Sequence, residues 1–256
     1  GWSRVLSGVS GNQKKYIQDD AVLVLSSSIE AEYSGSAVFY VKDLNGKDGF
    51  RLDGASSKDE SGRSVSTVGD VNGDGYDDII IGAWKANSET GESYVVFGKR
   101  SWSRYMRLSS LNGKTGFTMN GIDGGDQSGL AVSGAGDVDK DGYDDVIIGA
   151  PHNADGGEAY AFLGKKSGYK SSFDLDDLDG SNGFTVHTDI VVTTDHLGMA
   201  VGPAGDVDGD GYDDIILGST DDNDQYLLWG ESSRQSSNWT SNLPDDLYIE
   251  TGTAQM

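Results

Sequence analysis

Short apolar runs, separated by polar turn residues, dominate the chain and recur in a fixed order. Three of them are Ile79-Ile-Ile-Gly82, Tyr94-Val-Val-Phe-Gly98 and Gly116-Phe-Thr-Met119. Segments rich in Gly, Asn, Asp and Ser lie between the runs, which is the pattern of short β-strands joined by turns. The first run has no polar side chain, and this predicts a strand that is buried on both of its faces. No apolar run approaches the roughly 18–20 residues that a membrane-spanning helix needs.

The same order of strands is repeated along the chain, and each unit contains four strands that we name A, B, C and D. Strand A precedes an acidic segment and strand B follows it. Equivalent strands are predicted at 64–69, 131–136 and 200–205 (A), 79–82, 146–149 and 215–218 (B), 94–98, 160–164 and 226–230 (C), and 49–52, 116–119 and 183–186 (D). Tandem units of four short strands are typical of the blades of a β-propeller.

The two ends of the chain fit incomplete copies of this unit. At the start, 4–8, 20–25 and 37–41 take the places of strands A, B and C, and at the other end 247–250 can serve as the last D strand. We therefore predict an all-β fold, with one β-propeller domain, 1–256, of four-stranded antiparallel blades. The expected blades are 1–54, which is degenerate, 62–121, 128–187 and 197–253. They could close a ring alone, or join a homo-oligomer or a larger assembly.

An acidic motif fills the connection between strands A and B in three of the units. It begins at Asp70, Asp137 and Asp206, and the first copy reads Asp70-Val-Asn-Gly-Asp-Gly-Tyr-Asp-Asp78. Oxygens at alternate positions of a tight loop can face one cation, and the Gly at position 6 lets the chain reverse. Asp, Asn and Gly also favour plain solvated turns. Three copies with one spacing, each followed by an apolar strand, nevertheless predict metal-binding loops.

Calcium suits these loops better than magnesium, because Ca²⁺ takes six to eight hard oxygen ligands, whereas Mg²⁺ seldom uses an all-protein cage. The expected ligands are the side chains at positions 1, 3, 5 and 9 and the backbone carbonyl of position 7. They are Asp70, Asn72, Asp74, Tyr76 and Asp78; Asp137, Asp139, Asp141, Tyr143 and Asp145; and Asp206, Asp208, Asp210, Tyr212 and Asp214. The neighbouring acids Asp77, Asp144 and Asp213 are expected beside the sites. The first unit lacks the acidic cluster, so three Ca²⁺ sites are predicted and no fourth.

These loops differ from EF-hands in how they end. An EF-hand places a bidentate Glu at position 12. Here position 12 is Ile81, Ile148 or Leu217, inside an apolar run with the character of a strand. The sequence therefore predicts calcium loops that join two strands. Loops of this kind bind at extracellular calcium levels, roughly 10⁻⁴–10⁻³ M, which favours a location outside the cell.

The overall charge narrows the choice of partners. The 256 residues contain 42 acidic and 19 basic side chains, which gives a net charge of −23. This charge argues against nucleic acid and against an anionic membrane surface, both of which attract basic proteins. The chain has no cysteine, and hence no disulfide, thiolate metal site or cysteine nucleophile. Three histidines, His152, His187 and His196, are too few to predict a zinc site built from histidine.

The repeated segments resemble a known family. In the second unit the acidic motif is followed by Ile-Ile-Ile-Gly-Ala83 and then by a strand that ends in Phe97-Gly98, and the third unit contains Gly149-Ala-Pro151. This combination is similar to the FG-GAP repeat of the integrin α-subunit β-propeller and of many bacterial and archaeal surface proteins. The resemblance implies the same calcium-ligand positions and an extracellular role in adhesion, recognition or scaffolding. It also implies a departure, because propellers of this family commonly have seven blades.

These observations predict a non-enzymatic, extracellular or cell-surface, calcium-binding β-propeller module with a protein or glycan partner. Trp84, Trp102, Tyr105 and Trp239 lie in connecting segments and could contact that partner or pack between blades. A glycan-binding lectin domain is one alternative. A polysaccharide hydrolase or lyase is another, although the acids that it would need in pairs are used for calcium and the histidines show no catalytic pattern. The sequon at Asn238 leaves glycosylation open.

Overall fold

The computed structural model describes residues 14–18, 21–25, 41–154, 156–188, 196–220, 225–231 and 247–250. Strands make up most of the regular structure in these residues, and the predicted all-β class is confirmed. The strands are β1 Lys14–Gln18, β2 Ala21–Leu25, β3 Gly49–Asp53, β4 Val65–Gly69, β5 Asp78–Ala83, β6 Glu92–Val96, β7 Tyr105–Arg107, β8 Gly116–Asn120, β9 Ala131–Gly136, β10 Asp145–Ala150, β11 Glu158–Phe162, β12 Ser172–Asp174, β13 Gly183–Thr188, β14 Ala200–Gly205, β15 Asp214–Gly218, β16 Gln225–Leu228 and β17 Leu247–Glu250.

Helical structure in the same residues is short. It consists of one left-handed turn, α1 Ala86–Glu89, in which Asn87, Ser88 and Glu89 have φ angles of 52°, 64° and 67°, and of 3₁₀ turns at Val41–Asp43, Leu108–Ser110 and Leu175–Asp177. None of the helical segments in the described residues is long and apolar enough to cross a membrane.

Two complete repeat units form sheets with the predicted strand order. In the second unit β4, β5, β6 and β8 pair antiparallel in that order, as strands A to D. In the third unit β9, β10, β11 and β13 do the same. The fourth unit forms an antiparallel sheet of β14, β15 and β16, its A, B and C strands. The acidic motif lies between strands A and B in all three units, as predicted.

The first unit differs from its prediction. β1 pairs with β2, and β2 pairs directly with the D strand β3, so that Val24 lies opposite Phe50. The assignment of 20–25 to strand B is therefore wrong, because 21–25 take the place of strand C and 14–18 that of strand B. The apolar run suits both positions, and only the pairing partner distinguishes them. Residues 4–8 and 37–40, predicted within strands A and C, lie outside the described residues, and Val41 begins a 3₁₀ turn.

The assignment of 247–250 to the D strand of the fourth unit is also wrong. β17 pairs antiparallel with β13, the D strand of the third unit, with Tyr248 opposite His187. It extends the third sheet to five strands. Its alternating apolar pattern fits the edge of any sheet, so the sequence alone could not identify the neighbour.

Two short parallel strands, which the sequence pattern does not predict, link each unit to the one before it. β7 comes from the connection between strands C and D of the second unit, and it pairs with β3 so that Tyr105 lies opposite Arg51. β12 comes from the same connection of the third unit and pairs with β8, with Ser172 opposite Thr118. β7 and β12 form the outer edges of the first and second sheets.

The B strands of the second and third units are buried on both faces because each of these two sheets packs against a neighbour on two sides. Ile80 packs in a cluster with Tyr160 of the third unit, whereas Ile81 packs with Phe50 of the first unit. Ile147 lies in the core between the third and fourth units. The A strands are neighbours as well, with β9 in contact with both β4 and β14. The predicted burial of strand B on both faces is confirmed for the second and third units.

The fourth unit has one face that differs from its counterparts. Ile216 corresponds to Ile80 and Ile147 of the other B strands, which are fully buried, yet 44% of Ile216 is exposed. Trp229 and Val207 are 41% and 54% exposed, although their counterparts in the second and third units are buried. These residues lie on the side where, in the preceding units, the next sheet packs.

Candidate metal centre

Each acidic loop reverses the chain between strands A and B. The glycines at position 6, Gly75, Gly142 and Gly211, have φ angles of 86°, 93° and 92°. These angles lie in the left-handed region, where a side chain would strain the backbone. Glycine at this position therefore serves the turn, as the sequence analysis predicts.

The second and third loops each bring three carboxylates close enough to share a cation. The candidate ligand atoms of Asp137, Asp139 and Asp145 all lie within 4.8 Å of one another. In the third loop, the candidate ligand atoms of Asp206, Asp208 and Asp210 also lie within 4.8 Å of one another. Hard anionic oxygens at such spacing are the donors that Ca²⁺ prefers.

The first loop has one acidic side chain fewer at its ligand positions than the other two loops. Asn72 stands at position 3, where the other loops have Asp, and its amide nitrogen lies 3.5 Å from a carboxylate oxygen of Asp78. In the described structure no three acidic side chains of this loop meet as closely as those of the other two. An amide oxygen is also a calcium ligand, so the first loop fits the same ion with less negative charge.

The first acid of each loop holds the turn together. Asp70 accepts hydrogen bonds from the backbone N–H groups of Asp74 and Gly75, at 2.9 and 2.7 Å. Asp137 accepts equivalent bonds in the second loop. The acid at position 5 accepts the N–H of the Tyr at position 7 in all three loops. These local bonds shape the loop, and a carboxylate oxygen that accepts one N–H keeps a further lone pair for a cation.

The last acid of each loop is inaccessible to solvent and is hydrogen-bonded at both oxygens. Asp145 accepts the N–H of Val138 at one oxygen and the N–H of Gly164 at the other, both at 2.8 Å. This acid therefore ties its loop to the end of strand C, a role that the sequence analysis missed. The recurrent Gly after strand C was the available signal. The equivalent sets are Asp78 with Val71 and Gly98, and Asp214 with Val207 and Gly230.

Burial and like charges disfavour the ionised form of two of the ligand acids, Asp78 and Asp141. Burial is the main cause that raises the pKa of Asp78 to about 7, and the charge of Asp74 adds to it. Burial also raises the pKa of Asp141, together with the charges of Asp139 and Asp137. A dication would offset this repulsion, so the donor set fits calcium in chemistry as well as in spacing.

The acid at position 8 reaches the preceding loop. One oxygen of Asp144 accepts the N–H of Asp70 at 2.8 Å, and one oxygen of Asp213 accepts the N–H of Asp137 at 3.0 Å. Burial raises the pKa of Asp144, while the N–H of Asp70 acts in the opposite direction. These two acids connect consecutive loops, which their position in the sequence did not reveal.

Trp102 packs between units. Its ring stacks on Phe50 of the first unit, with centroids 3.8 Å apart. Tyr169 occupies the equivalent place in the third unit, where its ring stacks on Phe117 at 4.8 Å and its hydroxyl donates to the carbonyl of Val71 at 2.6 Å. The aromatic residue that follows strand C therefore joins successive sheets.

The other aromatic residues singled out from the sequence have different surroundings. Trp84 donates a hydrogen bond to Glu60 at 3.1 Å. Tyr105 is 53% exposed on β7. Trp239 and the sequon at Asn238 lie outside the described residues.

His152 and His196 meet although they are distant in the sequence. Their ring centroids lie 5.0 Å apart. Burial and the charge of His196 lower the pKa of His152. In the part of the chain that the structure describes, no group of three side chains at metal-binding spacing includes a histidine.

Comparison with known proteins identifies the repeat. Residues 61–96 and 128–162 match the family model described as FG-GAP repeat. The chain therefore carries FG-GAP repeats, and the predicted resemblance is confirmed over these two segments. They are the second and third units, in which the sheets follow the predicted order.

Several integrin α chains are similar over most of this chain. Integrin alpha-6 of Gallus gallus is 28% identical over 216 residues, which cover 82% of this chain and 18% of the relative. Integrin alpha-IIb of Homo sapiens is 30% identical over 179 residues, covering 66% of this chain and 16% of the relative. Integrin alpha ina-1 of Caenorhabditis elegans is 27% identical over 239 residues, covering 83% and 20%. The matched region is thus at most a fifth of the length of these relatives.

Proposed function

We propose that this chain is a calcium-binding β-propeller module that recognises a partner outside the cell. The observation that carries the proposal is the threefold acidic loop, which joins strands A and B of three consecutive units with the same turn and the same buried last acid. The FG-GAP segments and the similarity to integrin α chains support it. On this basis the activity is binding, in adhesion, recognition or scaffolding, rather than catalysis.

The packing of the units supports a propeller. The first sheet packs on the second, the second on the third, and the third on the fourth through shared clusters of buried apolar residues. Neighbouring A strands touch, as they do around the axis of a propeller. We propose blades near 1–54, 62–121 and 128–187 and a fourth that begins near 197, without β17. The exposed face around Ile216 is where a further blade or another copy of the chain would pack.

The proposed calcium ligands are positions 1, 3, 5, 7 and 9 of the loops that begin at Asp70, Asp137 and Asp206. When bound, Ca²⁺ would offset the repulsion between the clustered carboxylates. The protein itself supplies the turn, the N–H groups that orient the acids and the buried last acid that fixes the loop to strand C. Because the first loop has Asn72 in place of an acid, we expect it to bind calcium more weakly than the other two.

A protein or a glycan is the proposed partner. The net charge of −23 disfavours nucleic acid and anionic membranes. The extracellular or cell-surface location is proposed from the calcium loops, which suit extracellular concentrations, and from the integrin-like repeats.

Removal of calcium tests the proposal. A ligand that binds the folded state alone adds about 2.7 kcal/mol of stability per site at 100 times its Kd. We expect a chelator to lower the melting temperature and added Ca²⁺, but not Mg²⁺ at the same concentration, to restore it. Titration calorimetry should count three Ca²⁺ ions per chain.

Two substitutions separate specific binding from a general effect of charge. Asp139→Ala should reduce the calorimetric count to two. Asp77→Ala removes the same charge from an exposed position outside the ligand set and should leave the count at three. A melting temperature that ignores the chelator, together with no heat of binding, would refute the calcium proposal.

A further inference from the structure

A strongly basic surface of this acidic protein lies along the connection between strands C and D of the second unit. Residues 99–114 contain basic side chains and no acidic one, in a chain of net charge −23. All of these basic side chains are exposed. They are Lys99, Arg100, Arg104, Arg107 and Lys114. We call residues 99–114, together with Arg51, the basic edge.

The protein neutralises few of these charges. Arg104 donates a hydrogen bond to the backbone carbonyl of Lys42 at 2.7 Å, and a carbonyl carries no net charge. Arg51 is the exception, because the carboxylate of Asp53 lies 2.5 Å from its guanidinium. In the described part of the chain, no acidic side chain forms an ion pair with any basic residue of 99–114.

Tyr105 lines two open depressions on the basic edge. One, of about 300 Å³, is also lined by Arg51 and Arg104. The other, of about 540 Å³, is also lined by Lys99 and Arg107. A linear polymer bound over Tyr105 could reach both depressions, and each of them contains a guanidinium group.

The equivalent edge of the next sheet shows that the fold does not require this composition. β12 holds the same position as β7, but Ser172 and Asp174 of β12 stand where β7 has Tyr105 and Arg107. There, Asn120 donates hydrogen bonds to both Ser172 and Asp174, at 2.8 and 2.6 Å, so the polar groups satisfy one another. Exposed basic and aromatic side chains on the strand itself therefore belong to β7 and not to β12. In the third unit the basic residues of the connection, Lys165, Lys166 and Lys170, precede the strand.

We propose that the basic edge binds an acidic polysaccharide through its carboxylate or sulfate groups. The planar guanidinium of arginine binds such anions with two parallel hydrogen bonds. Ser101, Ser103 and Ser109 are exposed between the basic residues and offer hydroxyl groups to the hydroxyls of a sugar. The inference rests on the proposed recognition role and names a partner class for it.

A protein partner fits this surface less well. The centre of a protein–protein interface is more apolar than its rim and is depleted of Lys and Ser, although Tyr and Arg are enriched there. Met106, the apolar side chain of β7, packs against the core between the first and second sheets. The exposed side chains that line the two depressions with Tyr105 are basic or polar, so the edge lacks the apolar centre that a protein partner would bury.

The test compares polyanions on the whole chain in buffer with excess calcium. Heparin carries sulfate and carboxylate groups, polygalacturonate carries carboxylates alone, and dextran is a neutral control. Poly-glutamate and oligothymidylate represent an acidic peptide and a nucleic acid. By biolayer interferometry we expect at least one acidic polysaccharide to bind, with an affinity that falls as salt rises, and dextran to stay unbound. The ratio of heparin to polygalacturonate affinity distinguishes sulfate from carboxylate.

A variant of β7 removes the aromatic ring and one guanidinium without placing a carboxylate opposite Asp53, the neighbour of Arg107 in the sheet. This variant is Tyr105→Ser combined with Arg107→Gln. Lys166→Ala changes the net charge by the same amount at an exposed position of the third unit. We expect the first variant to weaken polysaccharide binding about tenfold or more, because a charge-assisted contact is lost. The second should leave the affinity unchanged.

The inference would be overturned if neither polysaccharide bound. It would also be overturned if both variants lost affinity equally, because net charge would then be the cause of binding. Binding that a chelator abolishes and the β7 variant does not affect would place the polysaccharide at the calcium loops. Tighter binding of poly-glutamate or oligothymidylate than of either polysaccharide would reject the partner class. The calorimetric count of calcium keeps this inference separate from the calcium proposal, since the β7 variant should still bind three ions.

Discussion

The carboxylate of Asp144 accepts a hydrogen bond from the backbone N–H of Asp70 at 2.8 Å, and this bond joins the acidic loops of two consecutive units. The same contact recurs at 3.0 Å between Asp213 and Asp137. Asp70 in turn shapes its own loop, because its carboxylate accepts two N–H groups of that loop. A change in one loop therefore acts on the first carboxylate of the loop before it.

Removal of the Asp144 carboxylate should destabilise the fold. Asp144→Ala leaves the N–H of Asp70 without this acceptor, and a hydrogen bond to a charged group contributes about 1.5–3 kcal/mol. Asp144 is half-buried, so we expect a loss of about 1–2 kcal/mol in the free energy of unfolding. Asp144→Asn should cost less, because its amide oxygen still accepts. Urea denaturation in excess calcium measures both.

Asp77 provides a matched control for this experiment. It holds position 8 of the first loop but is exposed. We expect the free energy of unfolding of Asp77→Ala to lie within about 0.5 kcal/mol of that of the unsubstituted chain. If the alanine variants at 77 and 144 lost the same stability, the link between the loops would not contribute.

Gly69 should resist substitution because Asp144 occupies the space where a side chain would lie. A Cβ on Gly69 would come 2.1 Å from Asp144 Oδ2, and the φ of Gly69 is +67°. Gly69→Ala should therefore cost about 1–3 kcal/mol from the backbone alone, and more from the displaced carboxylate. In the double variant with Asp144→Ala, we expect a total loss smaller than the sum of the single losses, because the contact with the carboxylate is removed and only the Cβ of residue 144 remains, at 2.9 Å. Denaturation of the four proteins measures this coupling, and strict additivity would contradict it.

Tyr169 should stabilise the junction of the second and third units mainly through its ring. The ring contacts Phe97 and Phe117, with centroids 5.0 and 4.8 Å away. Its hydroxyl donates to the carbonyl of Val71, but the N–H of Lys165 also reaches that carbonyl at 3.0 Å. We therefore expect Tyr169→Phe to lower the free energy of unfolding by about 1 kcal/mol and Tyr169→Leu to lower it clearly more. Thermal denaturation measures both losses. Equal losses would assign the effect to the hydroxyl.

The repeat made the units predictable, because one pattern seen three times outweighs the ambiguity of a single short run. The predicted B strand 79–82 lies within β5, and the acidic loop lies between strands A and B, where it was expected. The pairing of β2 and β17 was not predictable. Their short apolar runs fit several sheet edges, and the choice among those edges is made by the rest of the fold.

The residues of the candidate site were predictable by type and spacing, whereas their contacts were not. Asp145 accepts the N–H of Gly164, which is 19 residues away, because strand C returns beside the loop. Asp144 bonds to Asp70 across 74 residues, because two units pack side by side. Both bonds depend on distances that only the assembled sheets determine. The calcium ligands themselves remain a prediction that the titration described above tests.

His152 should make the fold less stable as the pH falls. Burial and the charge of His196 lower its pKa, so the folded state favours the neutral ring. The stability due to the neutral ring is present above the usual histidine pKa, about 6.5, and is lost as the pH falls through the lowered value. The melting temperature of His152→Gln, relative to that of the unsubstituted chain, should therefore rise as the pH falls from 7.5 to 5. A difference in melting temperature that does not change with pH would contradict this.

Ile147 and Ile216 hold the same position in successive B strands, and their different burial gives a direct test of the outer face of the fourth unit. Ile147→Ala should cost about 2–5 kcal/mol, because Ile147 is fully buried between two sheets. Ile216 is 44% exposed, so Ile216→Ala should cost far less, about 1 kcal/mol at most. Urea denaturation, with light scattering to record the mass, compares the two variants. If Ile216→Ala were as costly as Ile147→Ala, this face would be covered in solution. A mass that then fell on substitution would identify the cover as a second copy of the chain, whereas an unchanged monomer mass would assign it to the same chain and close the ring of blades.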